Sequence, residues 1–274
     1  MSLPGHGPGG GGASGPGAIL ALALESLRAL ARNLGSFARL AILPALASFL
    51  LEVLLFNTSA AELFDPQAPR LPTPGDLAIL IAVLLLNFLP VSLFAVAWTR
   101  LLLLGPAAEP GLLHRWSRRE LGYVGRLLPL VVVTAGIVML PTLLFGTGMA
   151  IDSLLTAVSV VVALLVFARG MLVLPAAALE IQFGFADAIR ATRGATPVWT
   201  VIALALIYLP FLPLFLLVAG LLNATGLALA APYASLFLQV VIGYGMQAGA
   251  VGLQALLFRQ LTGWRPNLPR PVSV

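Results

Sequence analysis

The chain has 274 residues, 60% of them hydrophobic and only 9% charged, against about 25% charged residues in an ordinary soluble domain, so a soluble globule is excluded. About 20 apolar residues cross a hydrocarbon core of about 30 Å; these residues therefore hold six or seven crossings with short connections and leave no room for a water-soluble catalytic domain. The net charge is +5, all 15 basic residues are arginine, and cysteine is absent, which excludes disulfides, thiolate metal sites and thiol catalysis. Arginine without lysine, beside abundant Ala and Leu, reads as genomic base composition rather than function.

Residues 1–17 are mostly Gly and Pro. They carry no positive cluster and precede no short apolar core with a cleavage site, so the expectation is a disordered tail and not a secretory signal. From Ala18 to Arg39, Leu20, Leu24, Leu27, Leu30, Leu34 and Phe37 recur every three or four residues while Arg28, Arg32 and Arg39 gather on another side. This spacing predicts an amphipathic helix lying in the membrane interface. Six hydrophobic stretches follow, at 40–56, 77–103, 127–149, 154–175, 198–222 and 233–258. The expected fold is an all-α integral membrane protein: a six-helix membrane domain over 18–259 and a cytoplasmic tail over 260–274.

Charge sets the orientation. The connection from Asn57 to Gly75 carries Glu62 and Asp65, with Asp76 at its margin and a single Arg70; the turn at Asp152 and the Asn223 to Pro232 loop carry no arginine. The other 14 arginines fall on the opposite side: 28, 32, 39, 100, 115, 118, 119, 126, 169, 190, 193, 259, 265 and 270. The positive-inside rule then places both termini in the cytoplasm of a bacterium, with the protein in its plasma (inner) membrane. The arginines would meet anionic lipid head groups, the expected partners. Nucleic acid is not expected, because it needs a basic face with stacking aromatics.

Three helices end alike, in Trp98-Thr99-Arg100, Phe167-Ala168-Arg169 and Phe258-Arg259. One reading is a threefold repeat of an interfacial segment and an out-and-back hairpin, over 18–104, 114–175 and 184–259. The other is that any inward helix ends in an aromatic and a basic interface anchor. In the third unit Asp187, Arg190 and Arg193 sit three apart, Gly194 fits a helix C-cap, and Thr196-Pro197 fits an N-cap with proline in the next first turn. A plain connection between helices is favoured there over a hinge or a head-group contact.

The stretch from Ala168 to Trp199, with Arg169, Pro175, Glu180, Ala188 and Thr192-Arg193-Gly194, resembles the glycerophosphoryl diester phosphodiesterase membrane-domain and YciC-like group. The Ala95 to Leu104 run, with Gly105 and then Arg118-Arg119-Glu120-Leu121, is similar to another version of that architecture. Together they cover about a third of the chain. The resemblance implies a six-helix inner-membrane bundle with interfacial helices and no settled biochemistry; the phosphodiesterase of the family name is a separate soluble domain, and its activity is not carried over.

Polar groups inside apolar segments have no water to satisfy them, so they are the candidate site residues. Glu52 lies one turn before the outward loop, where reach to the interface is favoured over a proton or cation site. Asn87 lies about 15 Å into its crossing, just before Pro90, where repair of the opened helix at the Leu86 carbonyl is the favoured role. Arg169 must reach the cytoplasmic head groups, which is favoured, or find a partner in Glu180 or a lipid phosphate. Pro210 and Pro213 should bend the fifth crossing. In the last crossing Gln239, Gly243, Gln247, Ala250 and Gln254 share one face and Gly245, Gly249 and Gly252 another, so this helix should sit inside the bundle; a polar groove for a head group or solute is the alternative.

Intramembrane catalysis needs converging Ser and His, paired Asp, or metal ligands. His6 falls in the tail, His114 in a loop, Glu52 stands alone among the apolar segments, and the Gly9 to Gly12 run lacks the lysine of a phosphate loop. No enzyme and no cofactor are therefore expected. The leading function is structural, assembly or lipid-organising. The alternative is a transporter or lipid-handling protein with a path near Asn87 and Gln247.

Overall fold

A computed structural model of the chain describes residues 15–58, 73–108, 116–145, 150–225 and 231–266. The expected tail at 1–17 falls largely outside them, as do Arg70 and His114. The described residues form α1 (Pro16–Arg32), α2 (Leu34–Phe56), α3 (Pro74–Leu104), α4 (Arg118–Phe145), α5 (Ala150–Gly170), α6 (Val173–Ala178), α7 (Phe185–Ala191), α8 (Thr196–Tyr208), α9 (Phe211–Ala224) and α10 (Pro232–Thr262), with a short 3-10 turn at Pro106–Ala108 and no strand. Six stretches are long and apolar enough to cross a membrane: Leu34–Phe56, Pro74–Leu104, Arg118–Pro141, Leu154–Ala178, Thr196–Leu222 and Pro232–Thr262. Each contains or overlaps one of the six hydrophobic stretches of the sequence.

Three interruptions depart from the sequence expectation, each with a local cause. The helix expected over Ala18 to Arg39 breaks at Asn33, whose side-chain amide donates to the Ala29 carbonyl at 2.7 Å. Asn competes with the helix for its own backbone groups, so Leu34, Phe37 and Arg39 belong to the first spanning helix. In the fifth crossing Leu209 and Pro210 separate α8 from α9; proline supplies no N–H and clashes with the preceding turn, giving a break rather than the expected bend. In the fourth, α5 stops at Gly170 and α6 starts at Val173. The α6 end is a Schellman-type cap: the Ile181 N–H donates to the Ala176 carbonyl at 2.8 Å and the Glu180 N–H to Ala177 at 3.0 Å, with Glu180 in the left-handed region at φ 58.

Side by side, α2 packs on α3 and α4 on α5, whereas α10 packs chiefly on α1, α3 and α2. From Tyr244 to Phe258, α10 is buried almost throughout, and α1, α3, α6 and α8 surround that half. The core lies at this end. It holds Phe94–Trp98 of α3, the Met171–Ala178 segment and Ile207 of α8, while Leu50, Leu84, Val132, Leu144, Leu154 and Leu216, toward the other end, are exposed.

Candidate functional site

The described helix ends bearing arginine meet at the packed end of the bundle. Arg100, near the end of α3, donates to the Ala178 carbonyl at 3.3 Å, and Arg126, in the first half of α4, donates to the Val173 carbonyl at 3.1 Å. Both guanidinium groups thereby hold α6, a helix too short to satisfy its own carbonyls. Arg119 pairs with Glu180 at 3.3 Å. Glu180, the alternative partner considered for Arg169, is thus paired with Arg119; Arg169 is exposed, and its guanidinium has no ion pair among the described residues. Glu120, fully buried, accepts from the Ser117 N–H at 2.8 Å and from its hydroxyl. This is the carboxylate half of a capping box at the start of α4, with the Ser117 hydroxyl accepting from the Arg119 N–H at 3.3 Å, legible in principle as Ser-x-x-Glu. Thr73 and Asp76 form the complete box at the start of α3.

Outside the spanning segments, Asp187 accepts from the Gly184 N–H at 2.8 Å and pairs with Arg190. The Gly184 amide first, and Arg190 second, hold its carboxyl below the usual range. Gly194 adopts φ +68 as its position after α7 requires. Thr196, expected as the N-cap of α8, is instead its first residue; Ala195 is the cap, and the Thr196 hydroxyl donates back to Arg193 at 3.1 Å.

Two side chains reach consecutive carbonyls of α10. The Trp98 indole donates to Ala248 at 2.9 Å and the Ser26 hydroxyl to Gly249 at 2.6 Å. Trp98 is fully buried, so its sequence role as an interface anchor is corrected; Phe258, 1% exposed and edge-on to Phe183, is likewise core. The glycines of α10 allow the approach: a Cβ at Gly249 would lie 2.5 Å from Ile207 and one at Gly252 2.2 Å from the Ser26 oxygen.

Toward the open half, Ser48 donates to Asn87 Oδ1 at 2.6 Å and lies 2.9 Å from the Tyr244 hydroxyl. A serine has one proton, so with it directed at Asn87 the tyrosine donates to Ser48, giving a chain from α10 through α2 to α3. Asn87 therefore bonds across helices, in place of the expected repair at Leu86. Glu52 is half-buried one turn beyond Ser48, with no ion pair among the described residues. The glutamines of α10 separate: Gln239 is exposed and donates to Ser235 of its own helix at 3.4 Å, Gln247 is half-buried, and Gln254 is buried with its Oε1 unpartnered. The expected shared glutamine face thus enters the core only in its second half. Among the described residues no three His, Cys, Asp or Glu side chains converge as metal ligands would. Comparison with known protein families, curated proteins and solved structures finds no match to this chain.

Proposed function

We propose that this chain is a non-enzymatic multi-pass protein of a bacterial inner membrane, with both termini cytoplasmic, that organises anionic lipid or a membrane assembly through its arginine-rich end. The observation that carries the reading is the division of labour among the arginines. Arg100, Arg119 and Arg126 turn inward to hold α6 and Glu180, while Arg28, Arg39, Arg118, Arg193, Arg259 and Arg265 are exposed at the same end and pair with no described carboxylate. Each basic side chain near an anionic surface contributes about 1 kcal/mol of attraction. The α1 helix supports an interfacial role, because its buried line of Ile19, Ala23, Ser26 and Leu30 leaves Leu24, Arg28 and Arg32 outward. The threefold repeat belongs to the same proposal; the α2–α3 and α4–α5 pairings favour its first two units, whereas α10 turns toward α1.

The transport alternative has less support, since Ser48, Asn87 and Tyr244 satisfy one another and leave Gln247 apart. Lipid analysis after extraction into nanodiscs from vesicles of mixed phosphatidylcholine and phosphatidylglycerol tests the proposal. Enrichment of phosphatidylglycerol above the bulk ratio, reduced by Arg28→Gln, Arg118→Gln and Arg193→Gln together, is expected. A lipid ratio equal to bulk for the unaltered protein refutes it.

A further inference from the structure

A groove of about 720 Å³ runs along the outer face of α2 and α3, within the roughly 300–1,000 Å³ range of ligand sites. Its floor is low because Leu40, Pro44, Pro90 and Ala97 are buried, while Leu50, Leu54, Leu86 and Leu89 stand out from the two helices as walls. At the arginine-rich end the groove closes on Arg39 and Trp116. Among the described residues Arg39 is the only charged one lining it, and it is exposed and without an ion pair to any of them. The interior is thus complementary to hydrocarbon and the mouth to an anion beside an indole, a residue type suited to the head-group level.

We infer that this groove is a specific site for one anionic phospholipid of the arginine-side leaflet, its acyl chain between α2 and α3 and its phosphate on Arg39. The inference rests on the proposed orientation of the arginine-rich end toward an anionic leaflet and deepens it by assigning a lipid to a place. Along α2 the groove runs from Arg39 to Leu54, about 22 Å of helix, enough to cover one leaflet of a core about 30 Å thick and to reach past its middle. Each methylene that leaves water for such a wall is worth about as much as one in the bilayer, so the chain supplies shape fit. Selectivity over a neighbouring bulk lipid then comes from the guanidinium.

Native mass spectrometry of the full chain in detergent, with phosphatidylglycerol or phosphatidylcholine added, tests it. One retained phosphatidylglycerol per chain and no comparable phosphatidylcholine adduct are expected. Arg39→Gln should weaken retention about fivefold, the factor given by about 1 kcal/mol per basic residue, and Arg190→Gln, outside the groove and paired with Asp187, should leave it unchanged. Ala47→Trp fills the groove from α2 and Leu93→Trp fills it from α3; each should abolish the adduct, and either one suffices where the other fails to fold. Equal retention of the two lipids, or an adduct that survives Arg39→Gln and a folded tryptophan variant, overturns the site. In that case phosphatidylglycerol enrichment in nanodiscs persists if the wider proposal holds. Loss of enrichment with the single adduct intact overturns the wider proposal alone.

Discussion

Gly252→Ala tests how α10 is held. In an exposed helix the change favours the helical state by about 1 kcal/mol, yet here the added Cβ would lie 2.2 Å from the Ser26 oxygen and 3.4 Å from both Ser26 Cβ and Leu102. Ser26 must rotate away from Gly249, leaving a hydroxyl at 1% exposure unsatisfied, or α1 must move. Overpacking of this kind costs about 1–3 kcal/mol, so a net loss of up to about 2 kcal/mol remains after the propensity gain. Ser26→Ala alone gives up one hydrogen bond, about 1 kcal/mol. In the double variant the oxygen is gone and only ordinary contacts remain, so its cost should fall below the sum of the singles by about 1 kcal/mol. Gly243→Ala is the control, because nothing lies within 4 Å of its added Cβ; it should be neutral or stabilising. Unfolding by SDS titration in mixed micelles measures all four. Gly252→Ala as benign as Gly243→Ala, or a double variant additive within about 0.5 kcal/mol, refutes the packing argument.

Glu180→Gly should hold or raise stability by up to about 2 kcal/mol, since it relieves a left-handed residue, worth about 1–2 kcal/mol, and loses a half-exposed ion pair worth at most about 1. Glu180→Ala keeps the strain and loses the pair, and should unfold earlier in the same titration; the opposite order contradicts the cap. Ser48→Ala removes two interhelical hydrogen bonds and should cost about 1 kcal/mol, at about 0.6 each, whereas Tyr244→Phe should cost about half that. Asp187 is held below the usual carboxylate range by Gly184 and Arg190, so its contribution to α7 is present above the unfolded value of about 3.9 and is lost as pH falls through the lower folded value. Amide exchange over Phe185–Ala191 should lose protection below that range, and Asp187→Asn should remove the dependence on pH.

The six helices long and apolar enough to cross a membrane were readable because lipid demands length and apolarity before anything else, and Leu84, Val132 and Leu216 satisfy that demand whether or not they touch protein. That permissiveness hides the helix faces. In water a buried stripe differs chemically from an exposed one; in hydrocarbon both are leucine and valine, and close packing selects for small residues. Gly245, Gly249 and Gly252 were therefore legible as a contact surface, but their partners Phe211, Ile207 and Ser26 were not. Trp98 carried a misleading signal, since indole at a helix end marks the interface in general, while here its N–H is spent on Ala248. Among the candidate residues, Asn87 proved part of a cross-helix chain, and Gln239, Gln247 and Gln254 separated by depth along α10 because only its second half is enclosed. The pairing of Arg119 with Glu180 depends on the break after Gly170, which no periodicity announces.

The distribution of packing also bears on which end can act. Met171–Ala178 and Tyr244–Phe258 are enclosed by protein at the arginine-rich end, and the guanidinium groups of Arg100 and Arg126 are spent there on backbone carbonyls. A solute path through that end would have to part a core in which Gly249 and Gly252 already touch Ile207 and Ser26 at the limit of approach. The opposite half exposes leucine and valine from α2, α3, α4, α5 and α9, surfaces that lipid covers without any movement of the protein. A bundle packed at one end and apolar on its surface at the other fits the proposed role of holding a fixed array of charges at a membrane surface. Alternating its opening between two sides would require helices to rock across an interface that can repack. Movement of α10 would have to break the Ser26 and Trp98 bonds to Gly249 and Ala248 beside the close approaches at Gly249 and Gly252, which favours the proposed lipid-organising role over the transport alternative.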